Sequence, residues 1–205
     1  MSHPLFDAKL FGDTVVTLTV IMDPVGNIPL FLGLVGRREP RERARLAWQS
    51  VAVAGSVIAV FALFGQEILA YLGISVAALQ GAGGLLLVLV ALELLTGRSE
   101  APSAVPDVNV ALVPLGTPLL AGPGAIVATI VFVRRAHGFG GALAIAAGLL
   151  ATLVVLWLAL RFASVILRVI RDSGVTLLTR IFGLLLTAIA VQLLATSAIA
   201  FAHSS

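Results

Sequence analysis

Residues 14–36 read TVVTLTVIMDPVGNIPLFLGLVG, an apolar run interrupted by one ionisable residue, Asp23, and by a short polar, proline-rich centre. Spanning a hydrocarbon core of ~30 Å takes about 20 helical residues, so this stretch is long enough to cross a bilayer once. Its middle, Asp23-Pro24-Val25-Gly26-Asn27-Ile28-Pro29, is the wrong material for a continuous helix. Proline withholds a backbone donor and clashes with the preceding turn, and glycine loosens what remains. The stretch therefore reads as a span broken near its midpoint, with Asp23 roughly 15 Å deep at about 1.5 Å per residue.

The rest of the chain reads as more spans of the same kind. Runs without Lys, Arg, Asp or Glu cover 46–66, 68–92, 108–133, 136–160 and 181–205. The spans are placed near 12–35, 44–70, 75–96, 108–133, 139–161 and 177–200, giving an all-α membrane protein of six transmembrane helices in one domain. Hydrophobic residues make up 60% of the 205, against 11% charged. Soluble domains carry about 25% charge, and no water-soluble fold of this size hides so large an apolar excess. A β-barrel would need alternating segments of roughly ten residues, which are absent. The N-terminal run Thr14–Met22 leads into Asp23-Pro24 without a small-residue cleavage site, which predicts a retained span rather than a signal peptide. Cysteine is absent, excluding disulfides and thiolate chemistry.

The net charge of +3 does not point to nucleic acid. Arg37, Arg38, Arg41, Arg43 and Arg45 lie between spans one and two, Arg98 between three and four, and Arg161, Arg168, Arg171 and Arg180 around the connection of five and six. Lys9, Arg134 and Arg135 lie on the other side. Positive residues stay cytoplasmic, so both termini are expected outside, and the arginines read as topology signal rather than as a binding surface.

A shift of 99 residues brings Gly84-Leu85-Leu86-Leu87 onto Gly183-Leu184-Leu185-Leu186, Leu94-Leu95 onto Leu193-Leu194, and Asp23-Pro24 onto Gly122-Pro123. It also sets Glu93 opposite Gln192. Repeat one covers about 12–96 and repeat two about 108–200. Three spans per repeat is an odd number, so the second repeat enters the membrane from the opposite side, an inverted arrangement common in secondary transporters.

Span four carries the matching break, Pro114-Leu115-Gly116-Thr117-Pro118-Leu119-Leu120-Ala121-Gly122-Pro123-Gly124. Unwound backbone at mid-membrane is tolerated only when buried in protein or lining a wet cavity, so the paired breaks mark the candidate binding site. Asp23 is expected both to cap the second half of span one and to act beyond capping, because a carboxylate at that depth is costly. At Gly122 no side chain caps the half-helix, and the N–H groups of Gly124, Ala125 and Ile126 are expected to face the cavity as an anion site. A carboxylate in one repeat and an uncapped helix end in the other would complement an amino-acid zwitterion. Glu93 and Gln192 fit either the cavity or the interface. Thr14, Thr17 and Thr19 are expected to bond their own helix, and Gly140, Ala144 and Gly148 to serve close packing.

DPVGNIPLFL at 23–32, GISVAALQGAGGLLLVLVALELL at 73–95 and PLGTPLLAGPGAI at 114–126 resemble the signature segments of the MarC family of bacterial inner-membrane proteins. The likeness covers nearly the whole chain. It implies a six-span protein of the bacterial cytoplasmic membrane, similar at a distance to LysE-type exporters, with relatives of the SnatA group described as carriers of small neutral amino acids. Carried onto this chain, it marks Asp23, Pro24, Gly26, Asn27 and Pro29, and Gly122, Pro123 and Gly124. Gly116-Thr117 departs from the pattern and adds a hydroxyl near the second break.

The functional expectation is a secondary transporter of a small neutral amino acid or similar metabolite. Its partners are the bilayer and a small-molecule substrate, with no nucleic acid; a homo-oligomer stays open. It needs no cofactor beyond a coupling ion, H+ or Na+. No GxxxxGK[ST] loop is present for nucleotide hydrolysis. An intramembrane enzyme would need a nucleophile–base pair or metal ligands in the bilayer, but there is no HExxH, and His3, His137 and His203 lie at termini or in a loop. A non-transporting membrane factor, chaperone-like or lipid-handling, would not need two equivalent breaks.

Overall fold

The computed structural model describes residues 6–35, 38–97, 120–136 and 138–204. These residues form helices and turns, with no strand among them. The order is α1 (Ala8–Met22), α2 (Asn27–Val35), α3 (Pro40–Tyr71), α4 (Val76–Thr96), α5 (Pro123–Arg135), α6 (Gly138–Arg161) and α7 (Ala163–Ser204).

Among the described residues four helices are long and apolar enough to cross a membrane: Pro40–Tyr71, Val76–Thr96, Gly138–Arg161 and Ser173–Ala202. The pair α1 and α2, bent by 51° at its break, makes a fifth candidate. At 13 residues, α5 is about 20 Å long and does not reach across alone. The portion of the expected fourth span before Leu120, including Thr117, lies outside the described residues. The connection expected between spans five and six is itself helical, because α7 runs from Ala163 and is interrupted at one residue, Arg171 (φ 59°, ψ 168°).

Local chemistry explains where the helices begin and end. Asp7 caps α1 by accepting from the Leu10 N–H at 2.9 Å. Ser75 caps α4 by accepting from the Ala78 N–H at 3.0 Å. Gly97 closes α4 in the left-handed region (φ 69°), where a side chain would be strained.

Helices in lipid gain little from burying apolar surface against one another, so close approach through small residues decides which of them pair. The most extensive pairing is α4 against α7. A Cβ on Gly81 would meet Ser197, and one on Gly84 would meet Leu194 and the Ala190 carbonyl. From the other partner, a Cβ on Gly183 would meet Leu94 and Leu95. The paired positions run in opposite senses along the two helices, which are therefore antiparallel. The Ser197 hydroxyl reinforces the seam by donating to the Ala77 carbonyl at 2.8 Å.

Helix α5 interlocks with α4 in the same way: Gly83 makes room for Val127, and Gly124 makes room for Leu87. Gly148 of α6 admits Thr14 of α1, and Ala144 is fully buried, as the small-residue spacing on α6 predicts. One contiguous apolar cluster includes Met22 and Ile28 from the first break and Leu120, Ala121 and Ala125 from the second.

Candidate functional site

The sequence DPVGN builds the first break residue by residue. Asp23 ends α1 in the left-handed conformation (φ 37°), its N–H still donating to the Thr19 carbonyl at 3.1 Å. That conformation strains a residue with a side chain unless local hydrogen bonds hold it, and Asp is among the few that adopt it readily. Here Oδ1 accepts the Gly26 N–H at 2.9 Å, three residues on, which is the reach of a helix cap. The expected capping role is present: one residue closes α1 and opens the segment leading to α2.

Pro24 follows as the first residue of the new turn, where its missing donor costs nothing. Gly26 is required by space, since a Cβ there would overlap the Asp23 carboxylate. Asn27 works backwards: its Nδ2 donates to the carbonyls of Met22 (2.7 Å) and Asp23 (3.0 Å). The Met22 carbonyl is one that a helix end leaves without a partner, and the Asp23 carbonyl accepts the Asn27 backbone N–H as well, at 3.1 Å. Pro29 has no N–H to offer the Val25 carbonyl four residues back, and the Ile28 N–H donates to that carbonyl instead at 3.1 Å.

Two polar atoms in this region are left over. Asp23 is only 5% exposed, and its Oδ2 is buried without a hydrogen-bond partner. The Thr19 hydroxyl, one helical turn earlier, is buried and unpartnered as well. Leaving one such group unsatisfied costs about 1–3 kcal/mol, and more when it is charged. Thr14 behaves as expected, its hydroxyl donating to the Leu10 carbonyl at 2.7 Å. Thr19 does not, and its free hydroxyl is a feature that sequence reasoning missed.

The second break differs from expectation. Gly122 does act as an N-cap without a side-chain hydrogen bond. However, the N–H groups of Ala125 and Ile126 both donate to the Gly122 carbonyl, at 3.0 and 3.3 Å. Only the Gly124 N–H has no acceptor among the described residues, and Leu87 and Ile21 pack over that residue. The expectation of three free amides is corrected to one, because the first turn closes on its own N-cap carbonyl and apolar side chains cover it. Ala125 is buried. The approach of Ile21 to Gly124 sets the two breaks side by side.

Glu93 and Gln192 stand exposed. Gln192 is engaged with Thr196, its Nε2 donating to that hydroxyl at 3.4 Å. Among the described residues no group of His, Cys, Asp or Glu is arranged to hold a metal ion.

The family model for the MarC family integral membrane protein matches residues 8–201. A UPF0056 membrane protein of Methanocaldococcus jannaschii is 38% identical over 85% of this chain and 88% of its own length. The UPF0056 membrane protein YhcE of Escherichia coli is 31% identical over 96% of this chain and 95% of its own. A UPF0056 membrane protein of Pyrococcus abyssi is 32% identical, covering 91% and 92%. No solved structure matches the chain.

Proposed function

The chain belongs to the MarC family of integral membrane proteins, and from that membership we propose that it is a secondary transporter of a small neutral amino acid or similar metabolite. The observation that carries the reading is the pair of unpartnered atoms at the first break, Asp23 Oδ2 and Thr19 Oγ1. A carboxylate buried in a membrane span and left without a partner among the described residues is costly, and a cation that comes and goes is the occupant that would offset that cost. That cation is the coupling ion, H+ or Na+, or the ammonium group of the substrate.

The architecture proposed with it is six spans in two inverted repeats, the residues before Gly122 completing the fourth span. Reciprocal packing supports this. The approach of Gly84 to Leu194 becomes, under the 99-residue shift, the approach of Gly183 to Leu95, and both are present. A pair of helices that exchanges equivalent neighbours in antiparallel fashion is what a two-fold axis in the membrane plane produces. The charge distribution supports placement in the cytoplasmic membrane with both termini outside, which alkaline phosphatase fused after Ser205 tests directly: an inactive fusion would reverse the orientation.

The transport reading is tested by reconstituting the purified protein in liposomes and screening radiolabelled small amino acids under imposed proton or sodium gradients. Gradient-dependent uptake or release is expected. Liposomes that behave as protein-free ones under every gradient would end the proposal.

A further inference from the structure

By sequence the arginines of one membrane face read as topology signal, but the fold gathers four of them at one place. Arg43, on the first turns of α3, and Arg161, at the end of α6, line a cavity of about 180 Å³. Arg168 and Arg171, on α7, line an adjoining cavity of about 540 Å³. Leu32 of α2 and Ser164 of α7 border both. Arg43 donates to the Ser164 hydroxyl at 2.9 Å, which ties the α2–α3 connection to the α6–α7 connection across 121 residues of chain.

None of the four arginines forms a salt bridge among the described residues; the ion pairs there are Lys9–Asp13 and Arg38–Glu42. Glu42, the acid next to Arg43, is thus already taken by Arg38. Like charges brought together repel, and four guanidinium groups around one place are stabilised by an anion. Guanidinium forks favour the planar, bidentate recognition of phosphate oxygens. The walls also continue into exposed apolar surface: Phe162, Val165 and Val169 are exposed apolar side chains on the same stretch, between the candidate spans, with the Arg161 guanidinium stacked 5.4 Å from the Phe162 ring centre.

We propose that this double cavity is a binding site for the phosphate head group of an anionic lipid, with an acyl chain lying along Phe162, Val165 and Val169. Basic pockets between spans at the membrane face hold lipid phosphates in this way. A free phosphate ion shares the head-group chemistry but gains nothing from the apolar flank.

The test uses the full-length protein in nanodiscs of phosphatidylcholine with increasing phosphatidylglycerol, following the thermal unfolding midpoint. The midpoint is expected to rise and saturate with phosphatidylglycerol. In Arg168→Gln/Arg171→Gln the half-saturating fraction should rise about tenfold or more, because two guanidinium–phosphate pairs are removed together. Arg41→Gln/Arg45→Gln removes the same charge from the same face without touching either cavity, and should leave the titration close to wild type. Equal weakening in the two double variants would mean diffuse surface attraction and would overturn the site. Equal stabilisation by inorganic phosphate in pure phosphatidylcholine would overturn the lipid as its occupant. Should the first double variant fail to fold, the wild-type titration decides: no difference between phosphatidylglycerol and phosphatidylcholine discs rejects the proposal.

Discussion

The carboxylate of Asp23 occupies the space where a side chain on residue 26 would begin, while the Gly26 N–H donates to the other oxygen of the same carboxylate. Gly26 therefore acts twice, as donor and as vacancy. Its substitution separates the two demands. Gly26→Ala should push the carboxylate off its cap and lower stability by about 1–3 kcal/mol, the usual range for overpacking. Adding Asp23→Ala removes the obstacle, so the double variant should recover part of that loss while remaining inactive in transport. Thermal unfolding of both variants in detergent checks this; simple additivity of the two changes would mean the side chains do not compete.

Asp23→Asn keeps an oxygen to accept from Gly26 but removes the charge. The protein should purify as a folded species with an unfolding midpoint near wild type, and gradient-driven transport should drop at least tenfold. Thr19→Val should weaken the response to the coupling ion more than it weakens folding, since it deletes a hydroxyl that bonds nothing internally. Wild-type transport in both variants would remove the first break from the mechanism.

Asn27→Ala deletes both side-chain hydrogen bonds to the end of α1 and should cost about 2–3 kcal/mol, near 1 kcal/mol per bond plus the loss of the side-chain partner of the Met22 carbonyl, while the Asp23 carbonyl keeps the residue-27 N–H. Asn27→Asp should be worse, because it turns an acceptor toward two acceptors. Denaturation monitored by circular dichroism ranks the two, and an equal effect would argue against the donor role.

Gly84→Ala and Gly183→Ala probe equivalent places on the α4–α7 seam. Each adds a Cβ within 3.2 Å of a leucine carbon, so both should destabilise, by about 1–3 kcal/mol. Gly84 has the harder neighbour, the Ala190 carbonyl at 3.0 Å, and should be the more sensitive. A neutral result at both sites would show that the seam is looser than its geometry.

Among the described residues four of the expected spans, and the bent pair as a fifth, were legible in the sequence because charge is excluded from lipid whatever the tertiary fold. The expected 75–96 and 139–161 fall within a residue of α4 and α6. The break at Asp23 was legible for a related reason, since Pro24, Gly26 and Pro29 act locally. The detail at Gly122 was not. Whether an amide at a helix start stays free depends on how the first turn closes and on what packs over it, and Leu87 arrives from a helix some forty residues away in sequence. The gathering of Arg43 with Arg168 and Arg171 was hidden for the same reason, as linear spacing says nothing of two connections meeting at one face. Residue type alone assigns the Thr19 hydroxyl to its own helix, and only the folded geometry leaves it unbonded.

The bend at Asp23 also bears on how the protein is made. Helix α1 has 15 residues and α2 has 9, about 22 Å and 13 Å, so neither half crosses the bilayer by itself. The segment of α1 and α2 is thus less able to reside in lipid alone than the continuous helices α3, α4 and α6, carrying an acid and an open turn at its centre. The neighbours that enclose it, α5 and α6, are synthesised about a hundred residues later. The packing that encloses this segment is therefore complete only once the second half of the chain is present. Stable integration of α1 and α2 is on that account expected to wait for α5 and α6, as a concerted event rather than a helix-by-helix one.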